Sequence, residues 1–348
     1  MKITRTRAIE IANENYKRVE DLLAKEVERD ALSPAIWEDE EDKKLILGQF
    51  FTKKDLWFQP QVEQFIKDAN PNIIIDPFAG QGDLLKVIKN IKTVGFDIDE
   101  SLNWFINDSL ISIPKFNNSL ILTNPPYLAK NSAQRKKFSI NFNDFQDLYQ
   151  IALAQCLKSS YYVVAIIPET FIRYNLFIEY LDNATILEGE LFEDTEYPVC
   201  IVCLRRGSNL NGHIYKNDKY IGKLKDLLEI RNRYKSNGAK IIFNDRNGNI
   251  ALRAIDGHND RIRFLRVEDL NYDIDKVKVS SRAITLISVK CDDVNEIIEK
   301  ANQYLNEFRD ECCDLLLAPF KGNNKEGKRR RRLDFEMARR ILNEALDR

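Results

Sequence analysis

From residue 72 onward, short apolar runs alternate with segments of helical periodicity, and this alternation restricts the chain to an α/β sheet of mostly parallel strands. The runs predict strands near residues 72–78, 93–98, 119–123, 161–168, 185–192 and 199–205. Helices are expected between them, at 83–92 directly after a glycine turn, and at 144–157, where Phe145, Leu148, Ile151, Ala152 and Leu153 fall on one face. Only residues 193–198 separate the last two strands. That is too short for a crossover helix, so these two should form an antiparallel hairpin. Ahead of residue 72 the pattern predicts a long helix at 5–30, a loop, and a second helix near 60–67. Beyond residue 206 it breaks into Gly, Asn and charged residues with short strands at 240–244 and 284–290 and helices at 292–310 and 333–346. The expected division is an N-terminal helical segment (1–47), a central α/β domain (48–206) and a C-terminal region (207–348).

With 348 residues, 44% of them hydrophobic, the chain can bury one large core or two modest ones. The sequence holds no run of about 20 apolar residues, and the first residues, MKITRTRAIE, are charged and amphipathic rather than signal-like, so a soluble, cytoplasmic protein is expected. Six irregularly spaced cysteines do not describe a disulfide framework. Cys200 and Cys203 lie on a predicted strand whose period of two puts the thiols on opposite faces, which suits buried thiols better than a metal or redox pair. With His213 and His258 the only histidines, metal or general-base chemistry through imidazole has little support and no metal is expected. A net charge of −1 hides an asymmetry: acids predominate up to residue 204, while bases predominate after it and include Lys328-Arg329-Arg330-Arg331-Arg332. That surplus suggests a polyanionic partner.

Two motifs carry chemistry. Asp76-Pro77-Phe78-Ala79-Gly80-Gln81-Gly82 joins a strand to a helix, and glycine at 80 and 82 permits close backbone approach to a ligand. It is not a phosphate loop, because no Lys-Ser or Lys-Thr follows and Asp76 and Asp83 would repel phosphate. Gly95-Phe96-Asp97-Ile98-Asp99 ends the second strand with an acid, where doubly wound folds bind ribose hydroxyls. A ribose together with a cationic end suggests S-adenosylmethionine. The second motif, Asn124-Pro125-Pro126-Tyr127, closes an apolar run. Two prolines stiffen the backbone and leave its carbonyls free to accept, so Asn124 Oδ1 and the Pro125 carbonyl can take the two N–H groups of an amine and push its lone pair toward an electrophile. Tyr127 offers a ring for stacking.

In order and wording these segments resemble the adenine-specific amino-methyltransferases of DNA, in the gamma-type arrangement with cofactor motifs first and target recognition last, as found in restriction-modification systems. The resemblance covers residues 48–206. Gly48-Gln49-Phe50-Phe51-Thr52 is similar to the family's N-terminal cofactor segment, which implicates Phe50 and Thr52; Lys53 departs from the proline common there. The glycine turn implicates Asp76, Phe78, Ala79, Gly80 and Gly82, the second strand Asp97 and Ile98, and Asn107-Asp108-Ser109-Leu110 brings Asp108 to the adenine ring of the cofactor. Asn124, Pro125, Pro126 and Tyr127 match the catalytic tetrapeptide, with Asn124 also at the cofactor, and Phe192 takes the place of the second stacking aromatic. The implied fold is a doubly wound, mostly parallel, seven-stranded Rossmann-like methyltransferase sheet with an antiparallel last strand and a smaller C-terminal DNA-recognition region.

The resemblance implies methyl transfer from S-adenosylmethionine to the amino nitrogen of an adenine flipped out of double-stranded DNA, with a separately encoded restriction endonuclease as a possible partner. Arg231, Arg233, Arg261, Arg263, Arg282, Arg329, Arg330 and Arg331 are candidates for DNA contacts. RNA amino groups, a protein glutamine and the cytosine amino group are competing substrates. The 140 residues or so after the sheet and the short segment before the glycine turn favour a nucleic acid over a protein, and Gly48 through Thr52 favours DNA over RNA. A different class, a non-catalytic nucleic-acid-binding protein, is opposed by the intact tetrapeptide.

Overall fold

The computed structural model describes residues 56–137, 140–173, 176–188, 198–207, 212–235, 237–270, 283–325 and 328–347. The expected helix at 5–30, the cofactor segment with Phe50 and Thr52, the stacking residue Phe192 and the candidate DNA contact Arg282 lie outside the described residues. The chain forms two compact units, one of residues 1–168 and 177–220, the other of residues 169–176 and 221–348.

In the first unit, helix α1 (Pro60–Ala69) starts with proline at a position whose N–H would lack a partner anyway, and ends where Asn70 turns left-handed at φ 42°. Strand β1 (Ile73–Asp76) follows, then a five-residue helix α2 (Asp83–Val87) and β2 (Lys92–Asp97). The helix expected over 83–92 is this short because the chain must turn back by Lys92 to pair with β1. Next come β3 (Phe105–Ile106), β4 (Ser119–Thr123), α3 (Lys130–Arg135), α4 (Leu148–Ser159) and β5 (Tyr162–Pro168). Finally β6 (Leu181–Ile186), β7 (Val199–Arg205), β8 (His213–Lys216) and β9 (Lys219–Lys223) extend the sheet.

The strand order is β3-β2-β1-β4-β5-β7-β6-β8-β9. Strands β3, β2, β1, β4 and β5 are parallel, whereas β7 runs antiparallel between β5 and β6, as the short connection required. β1, β4 and all of β7 but its last residue are buried, the pattern of strands covered on both faces. Cys200 and Cys203 are free thiols within this core. Two details depart from expectation. Nine strands, not seven, make up the sheet among the described residues, because β8 pairs in parallel with β6 beyond the boundary placed at residue 206. The strand expected at 185–192 begins at Leu181, since β6 must span the length of β7.

The second unit contains helix α5 (Leu224–Arg233) and an antiparallel sheet ordered β10 (Ile241–Phe243), β13 (Ile284–Val289), β11 (Ile250–Arg253), β12 (Arg263–Arg266). It also holds helix α6 (Val294–Glu311), a ladder of β14 (Ala318–Asn323) with β15 (Arg329–Arg332), and helix α7 (Phe335–Leu346). Asp293 caps α6 by accepting from the N–H groups of Asn295 and Glu296, and Asp334 caps α7 through Met337 N–H. A buried carboxylate organises this unit. The Arg309 guanidinium donates two parallel hydrogen bonds of 3.0 Å to Asp256, and its Nε donates to Asp314 at 2.7 Å. The same carboxylate accepts Ile262 N–H at 3.0 Å and Arg331 N–H at 3.2 Å.

The basic run is therefore a strand and not an exposed loop. Arg331 is 1% exposed and ion-paired with Glu169, Arg329 is buried, and Arg330 donates to the Asp256 carbonyl while lying over the Phe320 ring. This revises the expectation that Arg329 and Arg331 meet DNA, since both are buried and the Arg331 guanidinium is held by a buried carboxylate, whereas Arg330 is half-buried. Removing Glu169 by alanine substitution strands the Arg331 charge and should cost about 3–5 kcal/mol. Chemical unfolding measures this, and an unchanged midpoint would contradict it.

Candidate active site

Between β1 and β4 the strand order reverses, since the chain leaves β1 toward β2 and β3 and returns on the other side. In doubly wound sheets a crevice opens at the carboxyl ends of such strands. The last residues of β1 and β4 meet there. Thr123 Oγ1 donates to Asp76 Oδ1 at 2.7 Å, and Phe78 N–H donates to the same oxygen at 3.1 Å. Asp76 is 2% exposed, and burial pushes its pKa up to about 7 against the opposing pull of those two hydrogen bonds. No cationic side chain among the described residues offsets that burial.

The glycine turn is held from the neighbouring strand. Asp97 at the end of β2 accepts Gly80 N–H through Oδ2 at 2.8 Å and Asp99 N–H through Oδ1 at 2.9 Å, while Ala79 N–H donates to the Phe96 carbonyl at 2.9 Å. With the Ile98 N–H as a third neighbour, the carboxylate still keeps acceptor capacity for a further donor. Burial raises this carboxyl as well. Gly80 and Gly82 adopt φ of 48° and 74°, conformations that other residues enter at a cost. A Cβ on Gly80 would meet no atom within 4 Å, so open space lies beside the turn. Ala79 is buried, Phe78 before it is half-buried, and so is Ile98, which follows Asp97.

Sequence reasoning missed Trp104. Its indole Nε1 donates to the Gly80 carbonyl at 2.7 Å, and the ring packs where side chains of Gly82 and Gly95 would otherwise stand. Nothing in the local sequence marks it, although a glycine inside β2 signals a close neighbour.

Residues 121–128 are all buried. The Tyr127 hydroxyl, with a single proton to donate, lies between two acceptors, Asn124 Oδ1 and, at 2.7 Å, the Ile166 carbonyl of β5. A ring presented openly for stacking was expected. Instead Tyr127 is 5% exposed and turned inward, because a buried phenol needs acceptors and finds two here. The following backbone is pinned in turn: Leu128 N–H donates to Asp147 Oδ1 at 3.1 Å, Leu148 N–H to the Leu128 carbonyl at 3.2 Å, and Ala129 bridges Asp147. Burial lifts the Asp147 carboxyl to about 6. Asp108 accepts Leu110 N–H at 3.0 Å, closing its own turn. Asp76, Asn124, Tyr127, Asp97 and Gly80 thus sit at adjoining strand ends of one sheet.

In the second unit, Arg231 and Arg233 pair with Glu336 and Glu311, Arg263 lies 3.7 Å from Asp260, and Arg261 is exposed. Among the described residues no cluster of His, Cys, Asp and Glu could hold a metal ion, and no helix is long and apolar enough to cross a membrane.

No family model and no curated protein matches the sequence. Among solved structures the chain is similar to a Listeria monocytogenes protein assigned to the class I S-adenosylmethionine-dependent methyltransferases (14% identity, TM-score 0.35, 44% of this chain and 61% of that one). It is also similar to the type I restriction-modification methyltransferase subunit of Streptococcus thermophilus (14%, 0.32, 52% of each chain). A third is the M protein of the type I restriction enzyme EcoKI (10%, 0.33, 75% and 72%). The similarity is remote, and the chain spans about half to three fifths of the length of the first two.

A carboxyl whose folded pKa is raised favours the folded state in acid and loses that contribution as pH climbs through the folded value. With Asp76 near 7 and Asp147 near 6, the melting temperature should fall as pH rises from about 5 to about 8, and Asp76→Asn should flatten the upper part of that slope. A wild-type melting temperature that rises over this range would contradict the assignment.

Proposed function

We propose that the chain is an S-adenosylmethionine-dependent methyltransferase that modifies the exocyclic amino nitrogen of adenine in double-stranded DNA, as the modification enzyme of a restriction-modification system. The observation that carries this reading is the position of Asn124-Pro125-Pro126-Tyr127: it leaves the carboxyl end of β4 directly beside the Asp76 end of β1, across the point where strand order reverses. The residues present suit the cofactor. Asp97 retains acceptor capacity for a ribose hydroxyl, space is open beside Gly80, and the Asp76 carboxyl favours a cation nearby. Phe78, Ala79, Ile98 and Asp108, with Phe50 and Thr52, complete the proposed binding set, while the side-chain space at Gly82 is filled by Trp104. When bound, S-adenosylmethionine supplies a methyl group on an electrophilic sulfonium.

The chain's own residues orient the nucleophile. Asn124 Oδ1 and the Pro125 carbonyl accept the two amino protons, which withdraws the nitrogen lone pair from conjugation with the ring and aims it out of the base plane. Positioning provides most of the acceleration. The Tyr127 hydroxyl now occupies the Asn124 acceptor that the amine would use, so the incoming N–H group takes the place of the O–H group and the phenol ring turns to stack on the base. A base paired in a duplex cannot enter so buried a site, so it must be extruded, with Phe192 proposed as the second stacking surface. Arg231, Arg233, Arg261, Arg263 and Arg282 are the proposed DNA contacts; carboxylates that now pair with some of them at the surface are weak competitors for a phosphate. A separately encoded endonuclease is the proposed partner.

Asn124→Ala should lower turnover by about a hundredfold or more at saturating cofactor, with cofactor binding still detectable in calorimetry. Near-normal turnover with cofactor bound would refute the mechanism. Joint replacement of Arg261 and Arg263 by alanine should weaken DNA binding and reduce the slope of log affinity against log salt by about two. An unaltered slope would remove both arginines from the interface.

A further inference from the structure

Resting on the cofactor reading above, we infer that Trp104 is a positioning residue for S-adenosylmethionine, setting the conformation of Gly80 by holding its carbonyl group while Asp97 holds its N–H.

One hydrogen bond and two close glycines fix the indole. Gly80 N–H is taken by Asp97 Oδ2 at 2.8 Å and Gly80 C=O by Trp104 Nε1 at 2.7 Å, so the peptide groups on both sides of this α-carbon are clamped at φ 48°. Trp104 itself is placed by the residue that follows it, since β3 begins at Phe105 and pairs with Phe96 of β2. Its ring then lies against two glycines: a Cβ on Gly82 would come within 2.6 Å of the indole, and one on Gly95 within 2.5 Å. Gly95 stands opposite Asp76 in the β1–β2 register. The glycines at 82 and 95 therefore serve the indole, while the open side of the turn remains at Gly80.

This changes the meaning of the glycine pattern. The sequence reading assigned both glycines of the turn to ligand approach. In the structure only Gly80 faces open space; Gly82 makes room for Trp104. Trp104 is half-buried, so its indole also forms part of the wall of the turn.

Trp104→Phe keeps a ring in place and deletes the N–H. One lost hydrogen bond predicts a rise of about fivefold to tenfold in the dissociation constant for S-adenosylmethionine by calorimetry, and a matching rise in KM with kcat unchanged at saturating cofactor. Gly95→Ala attacks the same contact from the other side, by driving a methyl group into the indole and into Ala79. Its defect should be less than additive with Trp104→Phe. Overturning results are an unchanged dissociation constant in Trp104→Phe, a fall in kcat alone, full additivity of the two substitutions, or loss of cooperative melting in step with loss of affinity, which would make Trp104 merely structural. If the wild-type chain binds no S-adenosylmethionine, the cofactor reading itself fails and the inference falls with it.

Discussion

The hydrogen bond from Thr123 to Asp76 ties the two strands at which the sheet reverses its order, and the site depends on that tie. Parallel strands end together at one edge, and the chain must leave each of them there as irregular backbone. A carboxylate at 2% exposure would be costly without donors, and Thr123 and Phe78 provide them. Burial raises this carboxyl toward its neutral form, and a cation bound beside it would favour ionisation. The proposed cation subsite uses this arrangement, and the proposed catalytic loop starts from the same β4 terminus.

Polar groups in this protein do two different jobs according to whether their partners are complete. In the second unit, Arg309, Asp256, Asp314, Arg331 and Glu169 satisfy one another in the interior, and their contribution is to hold β15 and α6 in register with the Asp256 loop. At the strand ends of the first unit the satisfaction is partial. Asp97 keeps acceptor capacity, Gly80 borders open space, and Asn124 Oδ1 meets a hydroxyl that the proposed mechanism exchanges for an amine. Incomplete pairing at the edge of a well-packed sheet is what a binding site requires.

Much of this was legible in the sequence. Strand and helix alternation placed β1, β2, β4, β5 and β7 within a residue or two, the hairpin prediction followed from connection length alone, and the periodic apolar residues of α6 and α7 located both helices. The glycine turn and the Asn-Pro-Pro-Tyr run were found because their residue types carry local constraints. What escaped notice depends on distant partners. Tyr127 turns inward because of a carbonyl 39 residues further on, in β5. Arg331 is buried because Glu169 lies opposite it from 162 residues earlier. Trp104 sits in no motif, and its role is set by glycines on two other elements. The continuation of the sheet into β8 likewise rests on pairing with β6 that local composition does not encode.

The central claim is that a rigid acceptor pair at the end of β4 directs an amino group toward a methyl donor bound at the end of β1. Incubation with methyl-labelled S-adenosylmethionine and a mixture of genomic DNA, total RNA and protein, followed by digestion and nucleoside analysis, tests it most directly. The account predicts label in N6-methyladenine from DNA. Label confined to RNA or protein, or on a ring carbon, would contradict it.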